Sequence, residues 1–482
     1  MKDDAMKWRR WHTIGVLLAA LVVVVVAWIG YNKLWREEPQ PEWILQTKAG
    51  APFGETQFKY LSLGTEENGV PYWIFYVLPM IFSDKLPGLG GYSAFGLPWE
   101  PGVELPIGMT KRTIGYPRVG INCALCHTTR YRTSAETKPV FVAAGPGHTA
   151  NIEALSRFFY ECALDPRFRA GNLLSQIERF TKLSWIDKLV YRFNIIPKTR
   201  KRILDGGPRF LWTYRKDIPA WGRGSDGPLY SSKYVREGPL RVDGHYGSTQ
   251  FPAVWNLAKY EKDKGQGEAQ RLNATGDGLN PPTVVRESLL GMLGPEASDR
   301  NRVESEAARL TNYLRAKPAP AFPGGIDAKR YESGKDVFKE RCSLCHGEDS
   351  TLVGRPMPVT QVGTDPDYAA RFNKSSSADH VPRYVVPHLD GIWLRGPYLH
   401  NGSVPTIWDL LKPARERPSS FYRGADVLDV EHLGFISQGE DAMRRGAPFE
   451  TTKQGNGNQG HEFGVDLPDE KKKDLIEFMK TL

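Results

Sequence analysis

Four of the five cysteines lie in two copies of one short pattern, and no other feature of the sequence constrains the fold as strongly. The copies are Cys123-Ala-Leu-Cys126-His127 and Cys342-Ser-Leu-Cys345-His346. Two thiols on one turn can add across the two vinyl groups of a haem, and the adjacent imidazole then reaches the iron. Each copy therefore predicts one covalently bound haem c, and the whole chain predicts two.

The four motif cysteines have one alternative use, and the fifth cysteine is separate. A zinc ion held by two Cys-x-x-Cys knuckles would use the same four thiols, but it would leave His127 and His346 without a role. The fifth cysteine, Cys162, recurs at helical spacing with Leu155 and Phe159. This spacing predicts a buried, inert thiol.

The stretch from Thr13 to Tyr31 is almost purely apolar and long enough to cross the hydrocarbon core of a bilayer. More basic residues lie just before this stretch than just after it. This bias predicts that the N-terminus is cytoplasmic and that the chain after the stretch is exported. The alternative is a cleaved signal peptide, because Val25-Val26-Ala27 satisfies the small-residue requirement. That cleavage would fall inside the apolar run. We therefore expect a single-pass protein of the inner membrane with its haem domains on the periplasmic side.

The net charge of +9 and the pI of about 9.1 would suit an anionic membrane surface or an acidic protein partner. One denser basic cluster, from Lys198 to Arg202, follows the amphipathic segment Trp185–Ile196, and we interpret it as a solvated helix end. No nucleic-acid-binding motif accompanies these residues, so nucleic acid is not an expected partner. The expected partners are the membrane and a redox protein that donates or accepts electrons.

Periodicity predicts a mainly α fold with two cytochrome c-type haem domains. Residues 53–118 show little helical periodicity and predict a loop-rich wrap, whereas a helix is expected over 150–163 with Thr149 as its N-cap. The expected segments are a cytoplasmic basic flank (1–12), the transmembrane anchor (13–31), a periplasmic tether (32–58), the first haem domain with its wrap and a helical insertion (59–316), a Pro- and Gly-rich linker (317–327) and the second haem domain (328–482).

The second haem domain is expected to be all-α, with the haem between its first and last helices. The first helix spans about Ala328 to Arg341 and brings Gly334 and Phe338 onto one face just before Cys342. The last helix follows Pro468. A close-contact glycine on one helix and an apolar stripe on the other are typical of helices that cross in cytochromes c.

Proximal iron ligands are predicted at His127 and His346, and the sixth ligands decide the function. A second strong ligand makes an electron carrier, whereas an open position admits peroxide or oxygen. For the second haem we predict His461, in the glycine-rich loop before the last helix. His400 and Met357 remain alternatives.

For the first haem the nearest distal candidate is His148, and His245 is a weaker one. Equally, the site could be open beneath aromatic residues such as Phe251 and Trp255, which are then the candidate catalytic residues. Trp255 could also shorten the electron path between two haems.

Two widely spaced Cys-x-x-Cys-His motifs, followed by Pro397–Thr406, resemble those of the di-haem cytochrome c peroxidase and methylamine-dehydrogenase-maturation superfamily. Four segments resemble the rubber-oxygenase-like di-haem cytochromes more closely than they resemble that superfamily. They are the segment around Cys123 and the segments from His400 to Leu410, from Ser420 to Gly424 and from Gly460 to Gly464. The likeness covers most of the chain from about Lys59. In that group one haem is bis-histidine and the other has an accessible distal face. The resemblance therefore implies His461 on the second haem and substrate access at the first.

The sequence also departs from these families. It lacks the extra length that known rubber oxygenases have after the second motif, and those enzymes are secreted rather than anchored, which argues against polyisoprene cleavage. The peroxidases have a distal glutamate, for which Glu268 is a weak match, and a calcium ion between their domains. Arg395 replaces the threonine that usually helps to hold that ion, which counts against calcium here.

The sequence thus predicts a membrane-anchored, exported di-haem cytochrome c oxidoreductase with a peroxidase-like architecture. The second haem would relay electrons, and the first would reduce peroxide or activate oxygen. The alternative is a pure electron carrier, docked on a respiratory or quinol-linked membrane complex, with both irons permanently six-coordinate.

Overall fold

About 46% of the structure, a computed structural model, is helical. It describes residues 2–45, 53–207, 214, 218, 220–227, 244–261, 270–293, 300–370 and 381–482. The α-helices of eight or more residues are Lys2–Leu34, Tyr72–Ile81, Ile152–Leu164, Ala170–Ile177, Ile196–Asp205, Pro281–Leu293, Arg300–Ala316, Ala328–Arg341 and Asp469–Met479. The shorter ones are Glu42–Leu45, Glu55–Tyr60, Trp185–Val190, Ser343–His346, Val359–Val362, Ile407–Leu410 and Gly439–Arg445.

The strands are short and form small antiparallel sheets. Three of them form one sheet, in the order Val70–Pro71, Tyr116–Ile121 and Met109–Ile114. The others form two-stranded ribbons, which pair Thr128–Tyr131 with Val140–Ala143, Ser225–Asp226 with Thr249–Gln250, Pro356–Pro358 with Arg383–Val385, Ser420–Arg423 with Ala447–Glu450, and Leu428–Asp429 with Gly434–Phe435.

The N-terminal helix extends further than the apolar run that predicts it. Within this helix, Trp11–Leu34 is long and apolar enough to cross a membrane, and none of it is buried against the rest of the protein. Its length and composition are compatible with a membrane anchor, and a signal sequence has the same properties. The segment expected as a tether is not free where it is described, since Glu38 N–H donates to the Thr113 carbonyl and Ile44 is buried.

The wrap over residues 53–118 is more regular than expected, because it contains the helix Tyr72–Ile81. Every residue of this helix is apolar or aromatic, and five of the ten are buried in a cluster with Tyr92 and Phe158, while Tyr76 and Met80 are exposed. A helix that is buried on most sides has no polar face, so it shows no amphipathic period in the sequence. The prediction of an irregular segment was wrong for this reason.

The helix predicted over 150–163 is Ile152–Leu164, and its N-cap is Asn151 rather than Thr149. The Asn151 side chain accepts the Ala154 N–H at 2.9 Å. The Thr149 hydroxyl instead donates to the Gly96 carbonyl at 2.7 Å. On this helix Cys162 is fully buried with a free thiol, which confirms the prediction for the fifth cysteine.

The first and last helices of the C-terminal region, Ala328–Arg341 and Asp469–Met479, cross in direct contact at Gly334. A Cβ atom at Gly334 would lie 1.9 Å from the Asp474 carbonyl oxygen, so no larger residue fits without moving a helix. This observation confirms the predicted crossing and its glycine contact.

Between these two helices the chain is not all-α, and that expectation was wrong. Strands of two to four residues, from Pro356–Pro358 to Ala447–Glu450, form ribbons within this region. Strands this short carry too few residues to show an alternating pattern in the sequence.

The main core joins residues on both sides of the predicted linker 317–327, including Trp255, Leu310, Trp393 and Leu475. The first half of the linker is packed against this core through Ala319 and Phe322, and the Trp393 indole N–H donates to the Pro320 carbonyl at 2.9 Å. The division into two haem domains stays a prediction.

Candidate haem-binding site

A tight turn holds the first Cys-x-x-Cys-His motif. The Asn122 side chain accepts the Ala124 N–H and starts the turn, and the His127 N–H bonds the Cys123 carbonyl at 3.0 Å. The two thiols and the imidazole are thereby held on one turn, as covalent haem attachment requires. Burial raises the pKa of the Cys123 thiol to about 12.

The second motif continues directly from the helix Ala328–Arg341. The N–H groups of Cys345 and His346 both bond the Cys342 carbonyl, at 3.2 and 2.9 Å. The local geometry of the two motifs is therefore alike, although one follows a strand and the other a helix.

Each motif histidine uses its Nδ1 atom to contact a proline carbonyl. Nδ1 of His127 lies 2.8 Å from the Pro252 oxygen, and Nδ1 of His346 lies 3.1 Å from the Pro387 oxygen. A carbonyl only accepts, so Nδ1 carries the proton and Nε2 is left free to bind a metal. Burial lowers the pKa of both histidines, which favours the same neutral form. The two carbonyls were missed at the sequence level, because any residue can supply a backbone oxygen.

His461 lies opposite His346. Their ring centres are 6.2 Å apart, with 44° between the ring planes. Two metal–imidazole bonds of about 2 Å, with each ring centre about 1.1 Å behind its nitrogen, would separate the ring centres by about 6 Å. The pair therefore fits a haem iron held between the two rings. Burial and the neighbouring His346 lower the pKa of His461 to about 4, so its imidazole is also neutral.

The loop that carries His461 is held by backbone contacts and by one buried arginine. The His461 N–H donates to the Val362 carbonyl at 2.7 Å. Gly460 has a φ of +79°, and a Cβ atom at this position would clash with the backbone of Gly363. Arg417, 5% exposed, donates to the carbonyls of Asn458 and Gly460 at 2.6 and 2.8 Å. Its other nitrogens reach two further carbonyls. Arg417 therefore positions the loop on which His461 lies.

The structure places the other candidates for the second haem elsewhere. The His400 ring stacks on Tyr384 at 3.9 Å, and burial lowers its pKa to about 3. Met357 lies in the strand Pro356–Pro358, paired with Tyr384. Neither arrangement resembles the facing pair of His346 and His461.

The first motif has no equivalent facing pair among the described residues. His148 is 1% exposed and stacks on Phe435 with ring centres 4.1 Å apart, and it makes no ring contact with His127. Burial lowers the pKa of His148 to about 4. His245, the weaker candidate, has its Nδ1 3.1 Å from the Asp367 carboxylate.

Phe251 and Trp255 flank the carbonyl that contacts His127. Pro252, whose oxygen bonds His127, lies next to Phe251, so this segment runs behind the proximal ring. The Trp255 indole N–H donates to the Asp390 carbonyl at 3.1 Å. The predicted catalytic role of these two aromatic residues stays a prediction.

A buried carboxylate pairs with arginines at and just after the strand Thr128–Tyr131, which follows the first motif. Asp426 is fully buried, and Arg130, Arg132 and Arg445 surround it at 2.8, 3.1 and 3.6 Å. Three guanidinium groups around one carboxylate leave an excess of positive charge close in sequence to His127. Such an excess attracts anionic groups. No periodic pattern or motif in the sequence points to this cluster.

For calcium, the described residues contain no group of three or more His, Cys, Asp or Glu side chains placed to hold a metal ion. Arg395, at the position of the expected threonine, donates to the His388 carbonyl. Glu268, the weak match to a distal glutamate, lies outside the described residues.

Residues 383–422 match a family model described as RoxA-like, cytochrome c-like. This segment includes His400 and Arg417, and it lies between the second motif and His461. The chain thus contains a cytochrome c-like domain, which implies covalently bound haem c and a redox partner. The match supports a relation to the rubber-oxygenase-like cytochromes c.

Two curated proteins from Sinorhizobium fredii (strain NBRC 101917 / NGR234) are similar to the chain. Uncharacterized protein y4iJ is 44% identical over 119 residues, which cover 23% of this chain and 20% of that protein. Uncharacterized protein y4iM is 24% identical over 294 residues, which cover 48% of this chain and 64% of that protein. The chain therefore spans less than two thirds of either relative.

Proposed function

We propose that this chain is a membrane-anchored di-haem cytochrome c oxidoreductase of the inner membrane, with both haems on the periplasmic side. His346 and His461 would hold one haem, which would supply an electron relay, and His127 would hold the other, which would supply the reduction of peroxide or the activation of oxygen. When bound, the haems supply the one-electron redox chemistry. The difference between the two motif histidines carries this proposal, because His346 faces a second imidazole and His127 faces none among the residues that the structure describes.

The surroundings of His346 and His461 suit an electron relay. The Pro387 carbonyl fixes the His346 tautomer, and Arg417 holds the loop of His461 from the other side. Two neutral imidazoles in fixed positions would keep the same coordination in both oxidation states, which favours fast electron transfer.

The surroundings of His127 suit a reactive centre. The Pro252 carbonyl holds the proximal imidazole with its Nε2 free, and the His148 ring stacks on Phe435 and makes no ring contact with His127. A sixth position without a strong ligand admits a small oxidant.

A short bonded path supports electron exchange between the two motifs. It runs from His127 through the Pro252 carbonyl to Trp255, whose indole N–H donates to the Asp390 carbonyl. Asp390 lies three residues after Pro387, whose carbonyl bonds His346. The path joins the proximal sides of both histidines through two peptide segments and three hydrogen bonds, one of them from the Trp255 indole.

The second candidate is a pure electron carrier docked on a membrane complex. The exposed apolar helix Trp11–Leu34 favours it, since an anchor would hold the haems close to quinol-linked partners. In that case His148, or a residue outside the described part, would bind the first iron permanently.

Rapid mixing with hydrogen peroxide separates the two candidates. The fully reduced protein, with two haems per chain by the pyridine haemochrome assay, is mixed with peroxide in slight excess. The enzyme proposal predicts oxidation of the haems within seconds. A reduced spectrum that persists over that time supports the carrier and contradicts the enzyme.

A further inference from the structure

The helical segment from Trp185 to Asp205 exposes an apolar stripe. Trp185, Leu189 and Phe193 are 72%, 46% and 72% exposed and recur every four residues along one face. The opposite face is buried through Tyr191 and Ile195, among others, so the direction of the stripe is fixed by packing.

Basic side chains continue the same exposed surface. Lys198, Lys201 and Arg202 are exposed on the helix Ile196–Asp205, which follows the stripe without a break. Exposed Trp, Leu and Phe side chains insert into the membrane interface, and nearby Lys and Arg side chains attract anionic headgroups.

This segment is attached to the end of the apolar N-terminal helix. Nζ of Lys33, in the last turn of Lys2–Leu34, lies 2.6 Å from the Asp187 carboxylate, two residues after Trp185. The chain just beyond the helix is also fixed, since the Gly115 N–H donates to the Arg36 carbonyl at 2.7 Å. The stripe therefore lies at the height of the C-terminal end of the apolar helix.

We propose that Trp185–Asp205 lies on the surface of the membrane that Trp11–Leu34 crosses. Trp185, Leu189 and Phe193 enter the boundary between headgroups and acyl chains, and the basic half faces anionic headgroups. Trp35, 64% exposed at the end of the N-terminal helix, belongs to the same interfacial belt. This inference rests on the proposed membrane anchor.

Two contacts with one membrane restrict rotation and tilt of the folded region. A single spanning helix with a free tether would let the haem sites swing relative to the bilayer. A second contact through Trp185–Asp205 gives these sites a defined orientation, which suits electron exchange with a partner in the same membrane.

Thiol accessibility tests the inference on the full-length haem protein. The variants Leu189→Cys, Val22→Cys and Met443→Cys are reconstituted into vesicles of phosphatidylethanolamine and phosphatidylglycerol and treated with a membrane-impermeant maleimide. Met443 is the matched control, because it is an exposed apolar residue on another helix, Gly439–Arg445. The parent chain gives the background, since its Cys162 is buried.

We expect Leu189→Cys to react at least about tenfold more slowly than Met443→Cys, because a thiol in the bilayer boundary does not ionise readily. Adding Lys198→Glu and Arg202→Glu should restore much of the rate. Alkylation in urea shows that each thiol is intact.

Equal rates at Leu189→Cys and Met443→Cys, with Val22→Cys protected, would overturn the surface contact and leave the anchor in place. Fast alkylation of Val22→Cys would overturn the anchor and the inference together. If Leu189→Cys stays protected after the charge reversal, a second copy of this chain covers this face, and the lipid contact is contradicted.

Discussion

Replacing Arg417 by alanine should destabilise the protein and loosen His461. The guanidinium makes four hydrogen bonds to backbone carbonyls, two of them in the loop just before His461. At about 1.5 kcal/mol for each bond to a charged group, these contribute about 6 kcal/mol. About half of this is offset, because alanine also removes the cost of burying the charge. We therefore expect a loss of about 3 kcal/mol in the free energy of unfolding.

The assay is urea denaturation of the holo-protein, combined with the EPR spectrum of the second haem. Arg417→Ala should lower the unfolding free energy and convert part of the low-spin signal to high-spin, since His461 would no longer be held at the iron. The control is Arg415→Ala, because Arg415 is 83% exposed and pairs only weakly with Glu416. It should change the stability by less than about 0.5 kcal/mol. If the two variants behave alike in both measurements, the positioning role of Arg417 is refuted.

Three further predictions concern other parts of the fold. Gly334→Ala places a Cβ atom 1.9 Å from the Asp474 carbonyl oxygen, so it should lower the free energy of unfolding by about 3 kcal/mol in chemical denaturation. Gly171→Ala is the control and should be neutral, because no atom lies within 4 Å of its Cβ position. Equal effects of the two substitutions would contradict the helix crossing. Burial raises the pKa of Glu153, so the folded state holds the carboxyl proton more tightly than the unfolded state does, and the free energy of unfolding should fall as the pH rises above about 4.5. Glu153→Gln should reduce this pH dependence in urea titrations. An unchanged pH dependence would exclude Glu153 as its source. His461→Ala should abolish turnover with an electron donor while mass spectrometry still shows both haems attached, and unchanged turnover would remove His461 from the scheme.

The features that could be predicted from the sequence are those with a local chemical or periodic signal. The two Cys-x-x-Cys-His motifs are recognised by the spacing of their residues. The helix Ala328–Arg341 was predicted with the bounds that the structure shows, because its apolar residues recur at helical intervals. His461 was predicted from its place before the last helix, and the structure brings its ring opposite His346.

The features that were missed depend on contacts between distant segments. The Pro252 and Pro387 carbonyls lie 125 and 41 residues from the histidines that they bond, and a backbone oxygen has no signature in sequence. In the sequence, nothing distinguishes Arg417 from the many other basic residues, because its burial follows from the fold. The basic cluster from Lys198 to Arg202 was interpreted as a solvated helix end, because the sequence does not show the ion pair between Lys33 and Asp187 that relates this segment to the N-terminal helix.

The most direct test of the proposed function is low-temperature EPR of the holo-protein, both as isolated and half-reduced. The proposal predicts one low-spin ferric signal from the haem on His346 and His461, and a high-spin ferric signal from the haem on His127 in at least one of the two states. Two low-spin signals in both states would mean that both irons have two strong ligands. That result would contradict the oxidant-reducing centre and support a pure electron carrier.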